Sequence, residues 1–216
     1  MSSSDAVADR CWVRRWDCVH RIKLSLIYHL KRERFFDSMD RFITAVTTIA
    51  ATAAVAILVR TVGDIGTTFE VWLTAVAAVM SAVATAYSPG SKARGHGQIA
   101  SNMRRLWAEC EAAGENWSQE QCDAFSARVL LAEDGETAQL GALVVQCENE
   151  IARSVDNLEG VRELGWWRSL WKHWWNFDTC DLRPLSTPRV AELRQRQRAA
   201  LAESAVPSQA TTEQHV

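Results

Sequence analysis

The chain has 216 residues, 24 basic and 26 acidic side chains and a formal net charge of -2. That balance lacks the basic excess of a nucleic-acid binder, and no nucleic acid is expected as a partner. With 48% hydrophobic and 23% charged residues the composition excludes a wholly disordered chain and allows one or two compact units. Six cysteines, Cys11, Cys18, Cys110, Cys122, Cys147 and Cys180, include no CxxC pair. The spacing argues against a zinc ribbon or redox dithiol and for free thiols in a reducing compartment, so no metal and no cofactor is expected.

The opening MSSSDAVADR lacks the basic and apolar sequence of a secretory signal. From about residue 8 to 40 there is no Gly or Pro, and Trp12, Trp16, Val19, Ile22, Leu26 and Leu30 recur at helical spacing. This predicts one long amphipathic helix over residues 1–41, placed in the cytoplasm and leading into the first of two apolar segments.

Residues 42–59 (FITAVTTIAATAAVAILV) and 71–88 (VWLTAVAAVMSAVATAYS) each run 18 positions without a charge or amide. An 18-residue helix is about 27 Å long, near the thickness of a bilayer's hydrocarbon core. Gly63 and Gly66 in the intervening RTVGDIGTTFE suit a tight reversal. The expected fold is therefore an all-α membrane protein: a transmembrane hairpin over residues 42–88 with a cytoplasmic helical bundle built from the N-terminal and later helices. The strongly apolar residues of the first segment favour insertion by only about -2 to -5 kcal/mol, and four threonines offset part of that. An Ala-rich helix pair inside a bundle is the competing reading, opposed by the lack of a polar outer face.

Basic residues near the expected membrane ends, including Arg41, Lys92 and Arg94, outweigh the lone Arg60 of the connection. The asymmetry places both termini in the cytoplasm and Arg41, Arg60, Lys92 and Arg94 at the membrane interface. Thr44, Thr48 and Thr52 share one helix face, and Ala78, Ala82 and Ala86 share another. Such faces permit close helix approach. They could line a polar path between subunits, but the reading preferred here is internal: the hydroxyls bond their own i-4 carbonyls and the stripe packs against the second segment.

SPGSKARGHG, residues 88–97, marks a break. Gly95-His96-Gly97 with Ala100 imitates a dinucleotide fingerprint without the strand it needs, and Gly90-Ser91-Lys92 lacks the order of a P-loop. Helix resumes with Ile99, Met103, Leu106 and Cys110 until Gly114. Ser118 with Gln121 offers a capping box for a helix to about Glu133. From about Glu136 a longer helix shows Leu140, Val144, Cys147, Ile151 and Leu158, an alternating register that suits an oligomer or bundle seam.

LGWWRSLWKHWWNFDTC, residues 164–180, holds half of the ten tryptophans. A helix over 164–177, closing a helical region of 98–183, would gather Trp167, Trp171, Trp174 and Trp175 opposite basic residues. That face suits either a membrane interface or the cap of a bundle. Beyond residue 184 a short helix near 188–203 and a largely disordered tail are expected.

No nucleophile with a base, and no pair of facing carboxylates, emerges from the spacing, so the chain is not expected to be an enzyme. The layout YHLKRERFFDSMDRF, two Ala/Thr-rich segments, then GQIASNMRRLWAECEA resembles the SLATT group of bacterial two-transmembrane proteins, over roughly residues 10–160. The resemblance implies an inner-membrane effector of antiphage defence that oligomerises and permeabilises or depolarises the bilayer. Its implied partners are the lipid bilayer, further copies of itself, and a sensor protein or nucleotide second messenger as trigger. A membrane-anchored scaffold that recruits a cytoplasmic partner is the alternative. A holin-like lysis protein and a membrane enzyme rank behind both.

Overall fold

The computed structural model describes residues 3–60, 68–134 and 139–186, together with 188, 190–192, 194 and 195. The described chain is all-helical apart from turns and one isolated antiparallel bridge. It divides into two compact units, residues 1–139 and 140–216.

The first unit is built on α1, Ser3–Arg60, a helix of 58 residues that runs without interruption through the expected boundary at residue 41. No Gly or Pro occurs between Ser3 and Arg60, so nothing in the backbone ends it sooner. Helix α2, Thr68–Tyr87, packs back on α1. Ser88 then takes a left-handed conformation, φ 45°, and Pro89 starts α3, Pro89–Ala112.

The expected break at 88–97 is thus a single residue wide. A proline at the first helical position loses no hydrogen bond, and the following glycines lie inside the helix because α3 runs close along α1. A Cβ on Gly90 would meet the Asp40 carboxylate at 3.1 Å, and one on Gly97 would meet Glu33 Oε1 at 2.8 Å. Next to that approach, His29 is wholly buried with its Nδ1 2.9 Å from His96 Nδ1, so one ring donates and the other accepts. Phe36, also fully buried, stacks on His96.

Helix α4, Gln119–Ala132, completes this unit. Ser118 caps it, accepting from the Gln121 amide while the Gln121 side chain accepts from the Ser118 amide. The core joins Cys18, Ile22 and Leu26 of α1 to Met103, Leu106 and Cys110 of α3 and to Cys122 and Val129 of α4. The predicted N-terminal stripe is rotated by the packing: Trp12 and Trp16 are exposed, while Cys18 is buried.

The second unit begins with α5, Gly141–Ser154, shorter than the predicted helix because Asp156 turns left-handed, φ 57°. A 3-10 turn, Leu158–Gly160, follows. Leu158, Val161 and Val190 form a small core with Ala152 and Leu185. The tryptophan-rich helix is only α6, Trp166–Trp171, and gives way to turns where 164–177 was expected to be helical. Residues 188, 190–192, 194 and 195 are helical, and the rest of the predicted 188–203 helix lies outside the described residues.

The expected two-span transmembrane hairpin is overturned: no described helix is long and apolar enough to cross a membrane. Ala, Thr and Ser fill ten of the eighteen positions in 42–59 and ten of eighteen in 71–88. These side chains remove less apolar area from water than Leu, Ile or Phe would at the same positions.

Candidate association surface

The unusual surface of the first unit is the outward side of the α1–α2 end. Ile43 and Ala50 are buried, and Val46 and Thr47 half-buried, on the inner face of α1; Ala77, Met80 and Ala84 are half-buried on α2. Among the described residues of 42–52 and 72–88, the exposed side chains are all uncharged. Phe42, Ile49, Trp72, Val76 and Val79 are 63%, 66%, 69%, 46% and 61% exposed.

All six residues of the two small-residue stripes, Thr44, Thr48, Thr52, Ala78, Ala82 and Ala86, are exposed. The preferred internal reading therefore holds only in its first half. Thr48 Oγ1 donates to the Thr44 carbonyl at 2.7 Å and Thr52 Oγ1 to the Thr48 carbonyl at 2.8 Å, but the stripe is exposed, with Thr48 and Thr52 at a groove they share with Ala77 and Ser81. Bonded to their own backbone, the hydroxyls leave mainly methyl groups on the surface.

A shallow groove of about 490 Å³ runs along this end, lined by Thr47, Thr48, Ala51, Thr52, Ala77 and Ser81. Small side chains on both walls let a further helix backbone come close. Among the described lining residues there is no charged group and no base to activate a hydroxyl, so the groove suits binding by shape and apolar contact.

Two of the four basic residues expected at a membrane interface have partners within the chain. Arg41 pairs with Asp37 at 2.8 Å on the same helix. Lys92 sits with Nζ 3.3 Å from the Tyr87 ring centroid and 5.7 Å from that of Phe36, a cation–π arrangement at the α2–α3 joint. Arg94 is exposed, and the side chain of Arg60 lies outside the described residues.

In the second unit Trp167, Trp174 and Trp175 are exposed and Trp171 half-buried. Of the predicted seam, Cys147, Ile151 and Leu158 are buried and Leu140 and Val144 half-buried. The three buried residues have no surface to offer a second copy. Among the described residues no group of three His, Cys, Asp or Glu side chains could hold a metal ion.

Four thiols lie toward the far end of α1 from this surface. Cys18 and Cys110 are buried in the core, and burial pushes the Cys110 thiol up to about 12. Burial likewise raises the Cys18 and Cys122 thiols above their ordinary range. Cys122 Sγ lies 3.8 Å from the Cys11 carbonyl oxygen. Thiols held protonated in this way are weak nucleophiles and belong to packing.

Comparison with family models, with curated proteins and with solved structures finds no match to this chain.

Proposed function

We propose that this protein is a non-catalytic helical effector that works by assembling copies of itself through the charge-free α1–α2 end. One observation carries the reading: the small-residue stripes, a groove that Thr48 and Thr52 help to line and the large apolar side chains are all exposed at the same end, uncharged among the described residues of 42–52 and 72–88. Scattered exposed apolar residues are ordinary, but several large ones grouped with small residues along an uncharged stretch of α1 and α2 are what a partner helix would cover. A helix from a second copy fits because the groove walls are small and the Thr47, Thr48 and Thr52 hydroxyls are bonded to their own backbone. The resemblance of residues 10–160 to the SLATT group supports the effector role in bacterial defence. Permeabilisation through paired spans is no part of the proposal, because no described helix can cross a membrane.

The test is the molar mass of the purified full chain by light scattering over a range of concentrations. An oligomer is expected for the wild type. Thr48→Arg and Ala82→Arg each place a charge at the centre of the contact, where desolvating it costs several kcal/mol, and should shift the population to monomer with unchanged helical content. A wild type that is monomeric at every concentration would overturn the proposal. So would an oligomer that both arginine variants leave intact.

A further inference from the structure

The second unit contains a cleft of about 890 Å³, within the size range of small-molecule sites, with walls from α5, residues 162–169 and residues 181–185. Arg153 stands at the end of α5, Arg162 and Trp166–Arg168 follow the 3-10 turn, and Arg183 returns along the far side.

The scaffold under these groups is rigid. Asn149, 6% exposed, turns its side chain onto the backbone of Arg162, donating to its carbonyl and accepting from its amide, both at 2.8 Å. The Glu163 amide donates to the Arg183 carbonyl at 3.0 Å and the Leu185 amide to the Val161 carbonyl at 2.8 Å, which ties the two edges together. Arg168 grips Asp181 with two bonds of 3.1 and 3.0 Å. Arg162 pairs with Glu148 at 3.1 Å.

Two cations are left over. Arg153 and Arg183 make no ion pair among the described residues, though Glu150 and Glu163 also line the wall. Beside them Trp167 is braced by Trp166, at 5.4 Å between centroids, and by Trp171 at 5.6 Å, yet stays 53% exposed. Holding a large ring rigid with half its surface in water gains little for folding and suits a flat ligand. Arginine forks match the geometry of phosphate oxygens, and an indole face stacks on any heteroaromatic ring.

We infer that this cleft binds a flat-ringed phosphate ester of the size of a nucleoside diphosphate, its phosphates on Arg153 and Arg183 and its ring on Trp167. The site lies wholly within residues 140–216 and stands apart from the association reading.

Calorimetric titration of the full-length protein with ADP, adenosine and pyrophosphate tests it. ADP should bind, and each fragment more weakly. Arg153→Ala combined with Arg183→Ala should weaken ADP and pyrophosphate by at least about tenfold, the scale of lost charged hydrogen bonds, and leave adenosine unchanged. Trp167→Leu should weaken ADP and adenosine by about fivefold or more and spare pyrophosphate, as loss of one stacking contact predicts. All three substituted side chains are exposed or half-exposed, so circular dichroism should report folded variants. Absence of ADP binding at millimolar concentration overturns the inference. ADP binding indifferent to both the arginine and tryptophan variants does so as well. If phosphatidylglycerol vesicles bind through the same arginines while ADP does not, the cleft belongs to lipid headgroups and the nucleotide assignment fails.

Discussion

The chemistry of single residues in this protein is mostly that of groups held away from reaction. Cys180 is exposed, but the Asp178 carboxylate accepts from it and repels its thiolate, raising the thiol above its ordinary range. Asp178→Asn should therefore speed alkylation of Cys180 by iodoacetamide near neutral pH severalfold, read by mass spectrometry of the tryptic peptide, because only the thiolate attacks. The buried thiols set an alkaline limit. A group whose pKa is higher in the folded than in the unfolded chain contributes stability below the unfolded value and loses it as pH rises toward the folded one. Cys110 goes from an ordinary 9.0 to about 12, and Cys18 and Cys122 shift in the same direction. Urea midpoints should accordingly fall progressively across that interval, and Cys110→Ala should flatten the fall at the cost of a small cavity. The acid side runs the other way. Arg128 holds the Glu109 carboxylate, and Arg168 that of Asp181, below the ordinary range. Those contributions are present above the unfolded carboxylate values and disappear as pH falls through the depressed ones.

Elements in this chain are separated by what their glycines meet. Gly95 lies inside α3 with nothing within 4 Å of a built Cβ, so Gly95→Ala should stabilise the protein by about 0.5–1 kcal/mol through helix propensity alone. Gly141 opens α5, where a Cβ would sit 2.8 Å from the Phe177 carbonyl oxygen and the amide donates to Asn176 Oδ1 at 3.0 Å. Gly141→Ala should destabilise, by roughly 1–3 kcal/mol if the backbone cannot yield, the usual cost of overpacking. Thermal melts of the two variants should therefore move in opposite directions. The same logic explains why residues 89–97 are helical: Gly90 and Gly97 make room for α1, and close helix contact outweighs the poor propensity of glycine.

For the molecule as a whole, the division at residue 139 has a mechanical consequence. Every member of the core from Cys18 to Val129 belongs to the first unit. A fragment of residues 1–139 should then keep a helical spectrum and one cooperative thermal transition. A non-cooperative melt of that fragment would show that the second unit is needed to complete the core. The association surface and the cleft lie in different units, so Thr48→Arg should leave ADP titrations unchanged.

Helical periodicity alone determined the all-α class, the uninterrupted N-terminal helix, the capping box at Ser118 and the end of α3 near Gly114, because these depend on neighbours within a few residues. The same local signal marked two charge-free segments, each more than half Ala, Thr and Ser, yet no described helix is long and apolar enough to cross a membrane. Which way each stripe faces depends on the rotation of α1 against α2, set by the packing of Ile43 and Ala50, and no spacing within one helix records it. The cleft was beyond reach for a related reason. Arg153, Arg162, Arg168 and Arg183 are spread over 31 positions, and the bridge between Arg162 and Pro184, the Asn149 clasp and the Arg168–Asp181 pair bring them to one cleft. Contacts distant in the chain follow from closure of the tertiary structure, and so do the two surfaces on which function is proposed.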